Sequence, residues 1–455
     1  MQKIILLTFI SLGYSRLSFK EGQYDYSDIF KSEGEFPQGT KCKKVNAKQL
    51  DPLFDDYQVI YSGYLSVQED SNSSLGFIFY GSQKAKQESE LQNYPTLIWL
   101  NGGPGSSSQL GNFMELGPLL MQKNGSLTKN LYAWNTEYDV IFIDQRIGTG
   151  LAYVEKQSEV PKNQKQIGKH FLYALNSFLF DAKGCVEQQN VKGLTQSAWF
   201  IFGESYAGKS APTIAKAILD NNQNGEKKIP LKGVGIGDPF TDPYAVIAEY
   251  AAYSFNLGLI DIQERMKVDS ILAYGLKELN KGNTLAARDA FGESLNIIIT
   301  QSGGMNVYNV LQYGYYEEVE DKVEEYLNKI SIVNIFGFSE DWKYKISNGG
   351  DDVVKRVEEV VKQIPFLVYN GQNDLICSTP GTLRWVYDLK YEKIQEYREK
   401  DFDVLKITGT NKIVGYQKQA GNLELVLINN AGHLVPTDQP EASLQMVTTF
   451  VNKHK

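Results

Sequence analysis

Short runs of consecutive apolar residues recur along this chain, and most of them end at glycine- or asparagine-rich turns. That pattern is typical of parallel strands that are buried on both faces. Segments with apolar residues at helical spacing lie between the runs, as at 208–219. Strands that alternate with helices predict an α/β fold, with a doubly wound, mostly parallel central sheet flanked by helices. The predicted core strands are 96–100, 139–144, 198–203, 233–237, 365–369 and 423–428.

Two regions depart from this alternation. Residues 57–80 predict antiparallel edge strands around Gly63 and Gly76. Between about 243 and 352 the strand signal fades and helical periodicity replaces it, so we predict a mostly helical insertion that caps the sheet. The run 303–308 within it is interpreted as a loop or a hairpin. The helical segments of the insertion are predicted at 262–279, 285–294 and 317–330.

The strand at 198–203 leads into the sequence GESYAG (203–208), where Ser205 stands among small residues before a helix. This is the pattern of a nucleophile elbow, in which a tight turn lifts the serine hydroxyl above the sheet and leaves no space for bulky neighbours. A serine hydroxyl alone is a weak nucleophile. The elbow therefore predicts a base, an acid that orients the base, and an oxyanion hole elsewhere in the chain.

The chain has three histidines, and one is well placed to be the base. His454 belongs to a lysine-rich end that we expect to be frayed. His170 lies in an amphipathic helix pattern, where a surface histidine is the ordinary interpretation. His433 follows the strand at 423–428 in a loop, and loops at strand ends commonly carry catalytic groups. We predict that His433 is the base.

Asp374 is the predicted acid, because it follows the apolar strand at 365–369 and a glycine turn. Taken alone, Asp374 is equally well explained as a turn-capping residue. Three other acids lie on a predicted helix surface or in a charged segment: Asp388, Asp401 and Asp403. With Asp374 chosen, the chain order is Ser205, Asp374, His433, which is the order of the catalytic triad in α/β-hydrolases.

The strand at 96–100 ends in the sequence NGGPGSS (101–107). Glycines allow a backbone to approach a ligand closely, so this loop is a candidate oxyanion hole. In α/β-hydrolases, one N–H group comes from such a loop and the other from the residue after the nucleophile. Here these are Gly103 and Tyr206. A plain glycine-rich turn is the alternative, whereas a phosphate-binding loop would need a lysine and a serine or threonine at a spacing that is absent here.

Four segments, in this order, resemble the four signature blocks of the serine carboxypeptidase family: WLNGGPG (99–105), GESYAG (203–208), NDLIC (373–377) and AGHLVP (431–436). The resemblance extends over essentially the whole chain beyond its first residues. The run 203–212, with Lys209 after the glycine, is most similar to the vitellogenic-type branch. The resemblance implies an α/β-hydrolase fold and a serine-type exopeptidase. Such an enzyme removes single amino acids from the C-termini of peptides or proteins through an acyl-enzyme.

The resemblance also implies a site for the substrate carboxylate, formed by Asn101, Glu115 and Glu204. Without it, Glu204 would be the variable residue of the elbow and Glu115 an ordinary helix residue. Glutamates close to a carboxylate cannot all be ionised, because like charges raise the pKa of at least one of them. A protonated glutamate can donate a hydrogen bond to the substrate. We therefore expect activity to be best at acidic pH.

The cysteines depart from the family pattern. Family members typically carry several disulfides, one of them at the position of Ser106, whereas this chain has only Cys42, Cys185 and Cys377. At most one disulfide is possible, and relatives often keep a free thiol at the position of Cys377. Cys42 and Cys185 are the remaining pair, although the sequence leaves their pairing open. A second departure is Arg146, where the family usually has proline. Altered specificity and a turn cap are both open interpretations.

Residues 1–18 combine a short basic start with an apolar stretch too short to span a bilayer, which predicts a signal peptide. Residues 19–455 are then the peptidase domain. We expect the protein in the secretory pathway, either secreted or in an acidic lysosome- or vacuole-like compartment. Two sequons are candidate glycosylation sites in that setting, at Asn72 and Asn124.

Overall charge adds little. The net charge is -8, from 46 basic and 54 acidic residues, which disfavours nucleic-acid binding. No membrane segment is expected in the mature chain. The scattered histidines and cysteines show no metal-ligand spacing, and no cofactor is implied. The oligomeric state is not encoded in any motif; we retain a homodimer as an open expectation.

Two other functions are compatible with the same residues. Some relatives with this triad are acyltransferases, and others protect partner enzymes in lysosome-like compartments. The carboxylate-binding set argues for peptide substrates. An intact triad argues against a purely non-catalytic role, although a partner role could coexist with catalysis.

Overall fold

The computed structural model describes residues 39–46, 51–54, 59–225, 227–314, 317–327 and 353–455. The predicted signal peptide and residues 328–352 of the predicted insertion lie outside the described residues. The strands are β1 Lys41–Lys44, β2 Ile60–Ser66, β3 Ser74–Tyr80, β4 Thr96–Leu100, β5 Leu119–Met121, β6 Leu127–Lys129, β7 Asp139–Ile143, β8 Trp199–Glu204, β9 Leu231–Gly237, β10 Met305–Asn306, β11 Asn309–Tyr313, β12 Phe366–Gly371, β13 Asp403–Lys406, β14 Ile413–Ala420 and β15 Leu423–Ile428.

Helices connect most of these strands. The α-helices of the described residues are α1 Gln164–Phe180, α2 Cys185–Gln188, α3 Ala207–Asn224, α4 Pro243–Ile247, α5 Tyr250–Asn256, α6 Ile262–Asn280, α7 Thr284–Gln301, α8 Glu317–Leu327, α9 Val354–Val361, α10 Thr379–Tyr387, α11 Ile394–Glu399, α12 Val435–Asp438 and α13 Pro440–His454. Short 3-10 helices lie at Pro52–Phe54, Glu88–Asn93, Trp134–Thr136, Gln157–Glu159 and Lys192–Thr195, and a π-helical turn lies at Gly111–Glu115.

Eleven strands form one mixed sheet in the order β1-β2-β3-β7-β4-β8-β9-β12-β15-β14-β13. The six central strands run parallel to one another; in sheet order they are β7, β4, β8, β9, β12 and β15. The outer strands are antiparallel on both sides. The six apolar runs in the sequence are these central strands, each within about two residues of its predicted bounds, an accuracy usual for such boundaries. The predicted α/β fold is confirmed.

Successive side chains of a strand point to opposite faces, and β8 shows how the two faces are covered. Trp199 and Ile201 belong to the hydrophobic core on one face of the sheet. Phe200 and Phe202 belong to the core on the other face, where both contact Phe450 of α13 edge-on. Every residue of β8 is buried, which explains its uninterrupted apolar sequence.

The region from α4 to α8 is mostly helical, as predicted for the insertion. Helices α6 and α7 pack on each other, and a separate small core joins them to α4 and α5. The segment whose conformation the sequence left open is the β10–β11 hairpin. Leu375, which follows β12, packs in the same small core, so the insertion is joined to the main domain close to Asp374.

The structure answers the question of cysteine pairing that the sequence left open. Cys42 of β1 and Cys185 of α2 form a disulfide with Cα atoms 5.1 Å apart, and Cys377 is a buried free thiol.

The expectation of a frayed C-terminus was wrong. Helix α13 continues to His454, because its apolar face packs on the sheet and Phe450 contacts the imidazole of His454 at 5.0 Å.

Candidate active site

Ser205 lies in the sharp turn between β8 and α3, and its φ is +62°. The turn is fixed by backbone hydrogen bonds from Ser205 N–H to Gly237 O, 3.0 Å, and from Gly208 N–H to Ser205 O, 2.9 Å. Larger residues would not fit beside it. A Cβ atom at Gly203 would lie 2.8 Å from the Ala207 Cβ, and one at Gly208 would lie 2.6 Å from the Pro239 Cβ. The small residues of the motif therefore have a packing reason.

Asp374 and His433 are brought together from two different loops. The Oδ2 atom of Asp374 lies 2.7 Å from Nδ1 of His433, and both side chains are buried. The other carboxylate oxygen of Asp374 accepts the Cys377 N–H at 3.1 Å. A carboxylate at Nδ1 favours the tautomer with its proton on that nitrogen, which leaves Nε2 as a proton acceptor. Nε2 is buried and makes no hydrogen bond with the described residues.

The β10–β11 hairpin of the insertion holds the histidine loop. The His433 N–H donates to Tyr308 O at 2.6 Å, and the two rings lie 5.2 Å apart. Asn309 Nδ2 and Gly432 N both donate to the same oxygen of Asp438, at 2.9 and 2.7 Å. The hairpin also donates from Val310 N–H to the Asn373 carbonyl. Sequence reasoning missed these contacts, and nothing in the local pattern at 303–308 points to them.

The glycine-rich loop after β4 lies directly against the elbow. A Cβ atom at Gly102 would be 2.5 Å from the Tyr206 backbone nitrogen and 2.7 Å from the Ser205 Cβ. Gly103 has φ +104°, a conformation that favours glycine. Only a residue without a side chain permits this approach. The predicted oxyanion residues Gly103 and Tyr206 are therefore on adjoining backbone segments.

Asn101, Glu115 and Glu204 form one buried cluster. Asn101 Nδ2 donates to Oε1 of Glu115 at 3.1 Å and to Oε1 of Glu204 at 3.4 Å. The amide is held in this orientation because Asn101 Oδ1 accepts from Trp99 Nε1 and Gly111 N. The cluster is covalently next to the elbow, since Glu204 precedes Ser205.

The two glutamates of this cluster are neighbours, since Asn101 Nδ2 donates to one oxygen of each. Burial raises the pKa of Glu115, and burial together with the charge of Glu115 raises the pKa of Glu204 well above its usual range. The second oxygen of each carboxyl has no N–H or O–H donor among the described residues. Burial and the like charge of a neighbour both oppose ionisation, so the pair retains a proton where isolated glutamates have lost theirs.

Asp374, Cys377 and His433 also place potential ligand atoms within 4.8 Å of one another. A metal would need the thiolate of Cys377, but burial raises the pKa of this thiol well above its usual range. The set is explained by the hydrogen bond between the acid and the imidazole, with the thiol as a buried neighbour.

The remaining predicted residues occupy distinct positions. Arg146 is buried and donates to Pro161 O at 3.2 Å, and it lines a pocket with Gly105, Tyr206 and Ser210. Its carbonyl accepts the Thr149 N–H, as in a turn. Of the two candidate glycosylation sites, Asn124 is exposed between β5 and β6, whereas Asn72 is half-buried and donates to Glu155 at 3.2 Å.

The model of the serine carboxypeptidase family matches residues 54–453. The chain belongs to the serine carboxypeptidase family. It is thus a serine-type carboxypeptidase, a hydrolase that acts on peptide C-termini. The vitellogenic carboxypeptidase of Aedes aegypti is 30% identical over 443 residues, covering 93% of this chain and 88% of that protein. Serine carboxypeptidase-like 50 of Arabidopsis thaliana is 31% identical, with 88% and 89% of the two chains covered. The predicted resemblance is confirmed.

The fold is also that of a solved relative. The crystal structure of a prohormone-processing carboxypeptidase from Saccharomyces cerevisiae, Kex1, superposes with a TM-score of 0.75 at 22% identity. The match covers 90% of this chain and 95% of that one. Within the part of the chain that the structure describes, no helix is both long and apolar enough to cross a bilayer.

Proposed function

We propose that this carboxypeptidase releases single amino acids from peptide C-termini through an acyl-enzyme on Ser205, and that it works best at acidic pH. The observation that carries the proposal is the buried Asn101–Glu115–Glu204 cluster. It lies one residue from the predicted nucleophile and already needs a proton. A site that recognises a carboxylate so close to the reacting serine leaves room for only one residue beyond the cleaved bond.

The catalytic steps follow from the arrangement of the predicted triad. Ser205 Oγ attacks the last peptide carbonyl, and Nε2 of His433 takes the hydroxyl proton. Asp374 holds the imidazole in the tautomer that can accept it and stabilises the charged ring. His433 then protonates the leaving amino group, and water hydrolyses the acyl-enzyme by the same route in reverse.

The negative oxygen that forms on the substrate carbonyl needs hydrogen-bond donors. The N–H groups of Gly103 and Tyr206 are the proposed donors, and such a donor contributes about 3–4 kcal/mol to stabilisation of the transition state in comparable enzymes. The close contact between the Gly102 backbone and the Tyr206 nitrogen supports this assignment. A bulkier residue in the loop would separate the two donors.

The direction of the pH dependence follows from the raised pKa values of Glu115 and Glu204. At acidic pH the pair keeps a proton and can donate to the substrate carboxylate. As pH rises through these raised pKa values, the pair becomes more negative and repels the carboxylate. We therefore expect kcat/KM to fall on the alkaline side.

The destination proposed for the protein is the secretory pathway, either outside the cell or in an acidic compartment. The Cys42–Cys185 disulfide supports this, because disulfides persist in oxidising compartments. The exposed position of Asn124 is compatible with glycosylation there. An acidic setting would also match the proton requirement of the glutamate pair.

The test is the release of the C-terminal amino acid from N-blocked dipeptides from about pH 4.5 to 8, a range that spans the expected alkaline fall in activity. Each dipeptide is paired with its C-terminal amide, which cannot form the proposed carboxylate contacts. We expect release from the free acids at acidic pH, little from the amides, and none with Ser205→Ala.

Three results would contradict the proposal. Equal cleavage of acids and amides would contradict the assignment of a carboxylate-binding site. Activity that persists in Ser205→Ala would contradict the assignment of Ser205 as the nucleophile. Folded wild type that consumes a blocked dipeptide only when an alcohol or amine acceptor is added would instead indicate acyl transfer.

A further inference from the structure

A second carboxyl group lies beside Asp374. Asp238 directly follows β9, has φ +43°, and is fully buried. Its Oδ1 accepts hydrogen bonds from Asn370 Nδ2 at 3.0 Å and from Gly371 N at 2.9 Å. Both donors come from the end of β12, the strand that leads to Asp374. Asp238 is thus built into the junction of the two strands, and the proposed mechanism does not use it.

The surroundings of Asp238 are rigid. Asn370 Nδ2 also donates to the Cys377 carbonyl at 3.0 Å, and its Oδ1 accepts from Thr382 Oγ1 at 2.7 Å. The N–H of Cys377 in turn donates to Asp374. One network therefore holds Asp238 and Asp374 in fixed relative positions.

The second oxygen of Asp238 indicates which group this network positions. Oδ2 is buried, and no N–H or O–H group of the described residues donates to it. Gly371, whose N–H donates to Asp238, also accepts the Asp374 N–H at 3.3 Å, and the Asp374 carboxyl is the charged neighbour with the strongest effect on Asp238. Two neighbouring buried carboxyl groups share a proton, as in the paired aspartates of aspartic proteases. Both oxygens of Asp374 already have partners, His433 Nδ1 and the Cys377 N–H, so the proton belongs on Oδ2 of Asp238.

We propose that Asp238 is a protonated positioning residue, whose carboxyl proton bonds the Asp374 carboxylate and aligns it with Nδ1 of His433. The inference rests on the proposed function, because it assigns Asp374 its role through His433. In the protonated form, the two aspartates and the imidazole carry one negative charge in total. Loss of the proton would remove the donor to Asp374 and place two like charges in contact.

The groups that face Asp238 favour this protonated state. Burial and the Asp374 charge raise the pKa of Asp238 well above its usual range, and Asp438 adds to the effect. Glu204, the thiol of Cys377 and the phenols of Tyr253 and Tyr369 are also close enough to interact with Asp238 electrostatically. Two basic groups lie nearby: His433 bonds Asp374, and the Lys209 ammonium lies over the rings of Tyr206 and Phe240, 5.4 and 5.6 Å from their centroids.

The experiment compares wild type with Asp238→Asn and Asp238→Ala. The asparagine keeps the acceptor for Asn370 and Gly371 and offers an N–H to Asp374, whereas alanine removes both functions. The readout is the rate at which diisopropyl fluorophosphate labels Ser205, followed by intact mass across pH. This reagent has no carboxylate, so the rate reports activation of the serine independently of peptide binding. Ser205→Ala is the blank, and exposed Glu392→Gln is the matched control.

We expect Asp238→Ala to be labelled about tenfold to hundredfold more slowly, the factor that corresponds to losing one hydrogen bond to a charged group. Asp238→Asn should restore the acidic rate to within about threefold of wild type, since an amide donor replaces the carboxyl proton. At acidic pH, the labelling rate of Asp238→Asn should depend on pH in the same way as that of wild type, because Asp238 is neutral there. Its rate should persist to higher pH than that of wild type, because an amide cannot ionise.

An ionised Asp238 would give a different result. Asp238→Asn would then remove a negative charge from the site, the acidic part of its pH profile would differ in shape from that of wild type, and that difference would overturn the inference. Equal labelling of wild type and Asp238→Ala would also overturn it. If Asp238→Ala fails to fold, the pH profile of Asp238→Asn decides alone. Labelling without release of amino acids would contradict only the proposed exopeptidase activity, whereas wild type that is never labelled at Ser205 would contradict both.

Discussion

Two pairs of buried carboxyl groups lie close to the ends of the central strands, and they differ in the groups that bond to them. Glu115 and Glu204 are held by a neutral amide, that of Asn101. Asp238 and Asp374 are held by backbone N–H groups, the Asn370 amide and, in addition, an imidazole. Burial raises the pKa of at least one member in each pair. The first pair therefore has its proton available for a partner from outside, whereas the second is completed by His433 within the protein.

The comparison shows that burial alone does not assign a role to an acid. The same raised pKa can serve to bind a carboxylate or to fix a neighbouring one, and the nearest basic group decides between them. Within the described residues, no lysine or arginine forms an ion pair with either set. Both pairs therefore depend on protons, and both should respond to pH in the same direction.

The largest expected effect on kcat comes from a substitution in the Asp238–Asp374 pair that breaks the bond between Asp374 and the imidazole of His433. Asp374→Asn keeps the shape of the side chain but favours the wrong histidine tautomer, and we expect kcat to fall about 10⁴-fold. Dipeptide hydrolysis and fluorophosphate labelling should both be impaired, because the defect lies in the base. A variant that loses hydrolysis but keeps normal labelling would show that Asp374 acts on substrate binding instead.

Breaking the first pair should affect recognition rather than activation. Glu204→Gln keeps the size of the side chain but removes the titrating group, and we expect kcat/KM for free dipeptide acids to fall about tenfold to hundredfold at acidic pH. The alkaline loss should become shallower, because the remaining Glu115 has no carboxyl neighbour to repel. The measurement is the ratio of kcat/KM values for acids and amides across pH. An unchanged ratio would contradict the assignment.

The two pairs should contribute together to stability. The folded pKa values of Glu115, Glu204 and Asp238 are raised, so the folded protein holds protons that the unfolded chain has released above its ordinary pKa values. This stabilisation is fully present below those ordinary values and is lost as pH rises through the raised ones. Each retained proton contributes a slope of about 1.4 kcal/mol per pH unit. We expect the free energy of unfolding to decrease from about pH 5 to 8, and to decrease less in Glu204→Gln or Asp238→Asn.

The control for this prediction is an exposed acid. Glu392 lies on the surface, so Glu392→Gln should leave the slope unchanged. Urea denaturation at several pH values measures the slope. If Glu392→Gln and Glu204→Gln changed it equally, net charge rather than the buried pair would be responsible.

The smallest effect tests the support around His433. Asn309→Ala removes one hydrogen bond to Asp438, and we expect a loss of about 1 kcal/mol in stability and a several-fold fall in kcat. Leu311→Ala is the matched control, because Leu311 lies on the same strand and is 65% exposed. An equal effect of both substitutions on kcat would mean that the hairpin acts through general packing.

The sequence predicted those parts of the fold and of the site that depend on short, contiguous segments. The six parallel strands follow from uninterrupted apolar runs, and the elbow follows from small residues around Ser205. Asp374 and His433 could be chosen because strand ends meet at one edge of a parallel sheet. Glu115 could not be chosen in this way, because it lies in a π-helical turn with no pattern that marks a ligand. Only the family resemblance singled it out.

What the sequence could not predict depends on contacts between distant segments. Asp238 and Asp374 are brought into one region because β9 pairs with β12, which places Gly237 opposite Tyr369. Tyr308 contacts His433 from the β10–β11 hairpin, a segment for which the sequence left open whether it forms a loop or a hairpin. The Cys42–Cys185 disulfide spans 143 residues, and composition could only leave those two cysteines as the remaining pair. In each case the determining interaction is tertiary.

The β10–β11 hairpin has a practical consequence for anyone who wishes to redesign this protein. Insertions over an active site are attractive units to exchange, since their loops shape the entrance for substrates. Here the Tyr308 carbonyl and the Val310 N–H are bonded to the two loops that carry His433 and Asp374. The insertion is therefore not interchangeable as a whole. A chimaera would have to retain residues 305–313 and replace only the helices beyond them, or it would lose the support of the proposed base together with the old specificity.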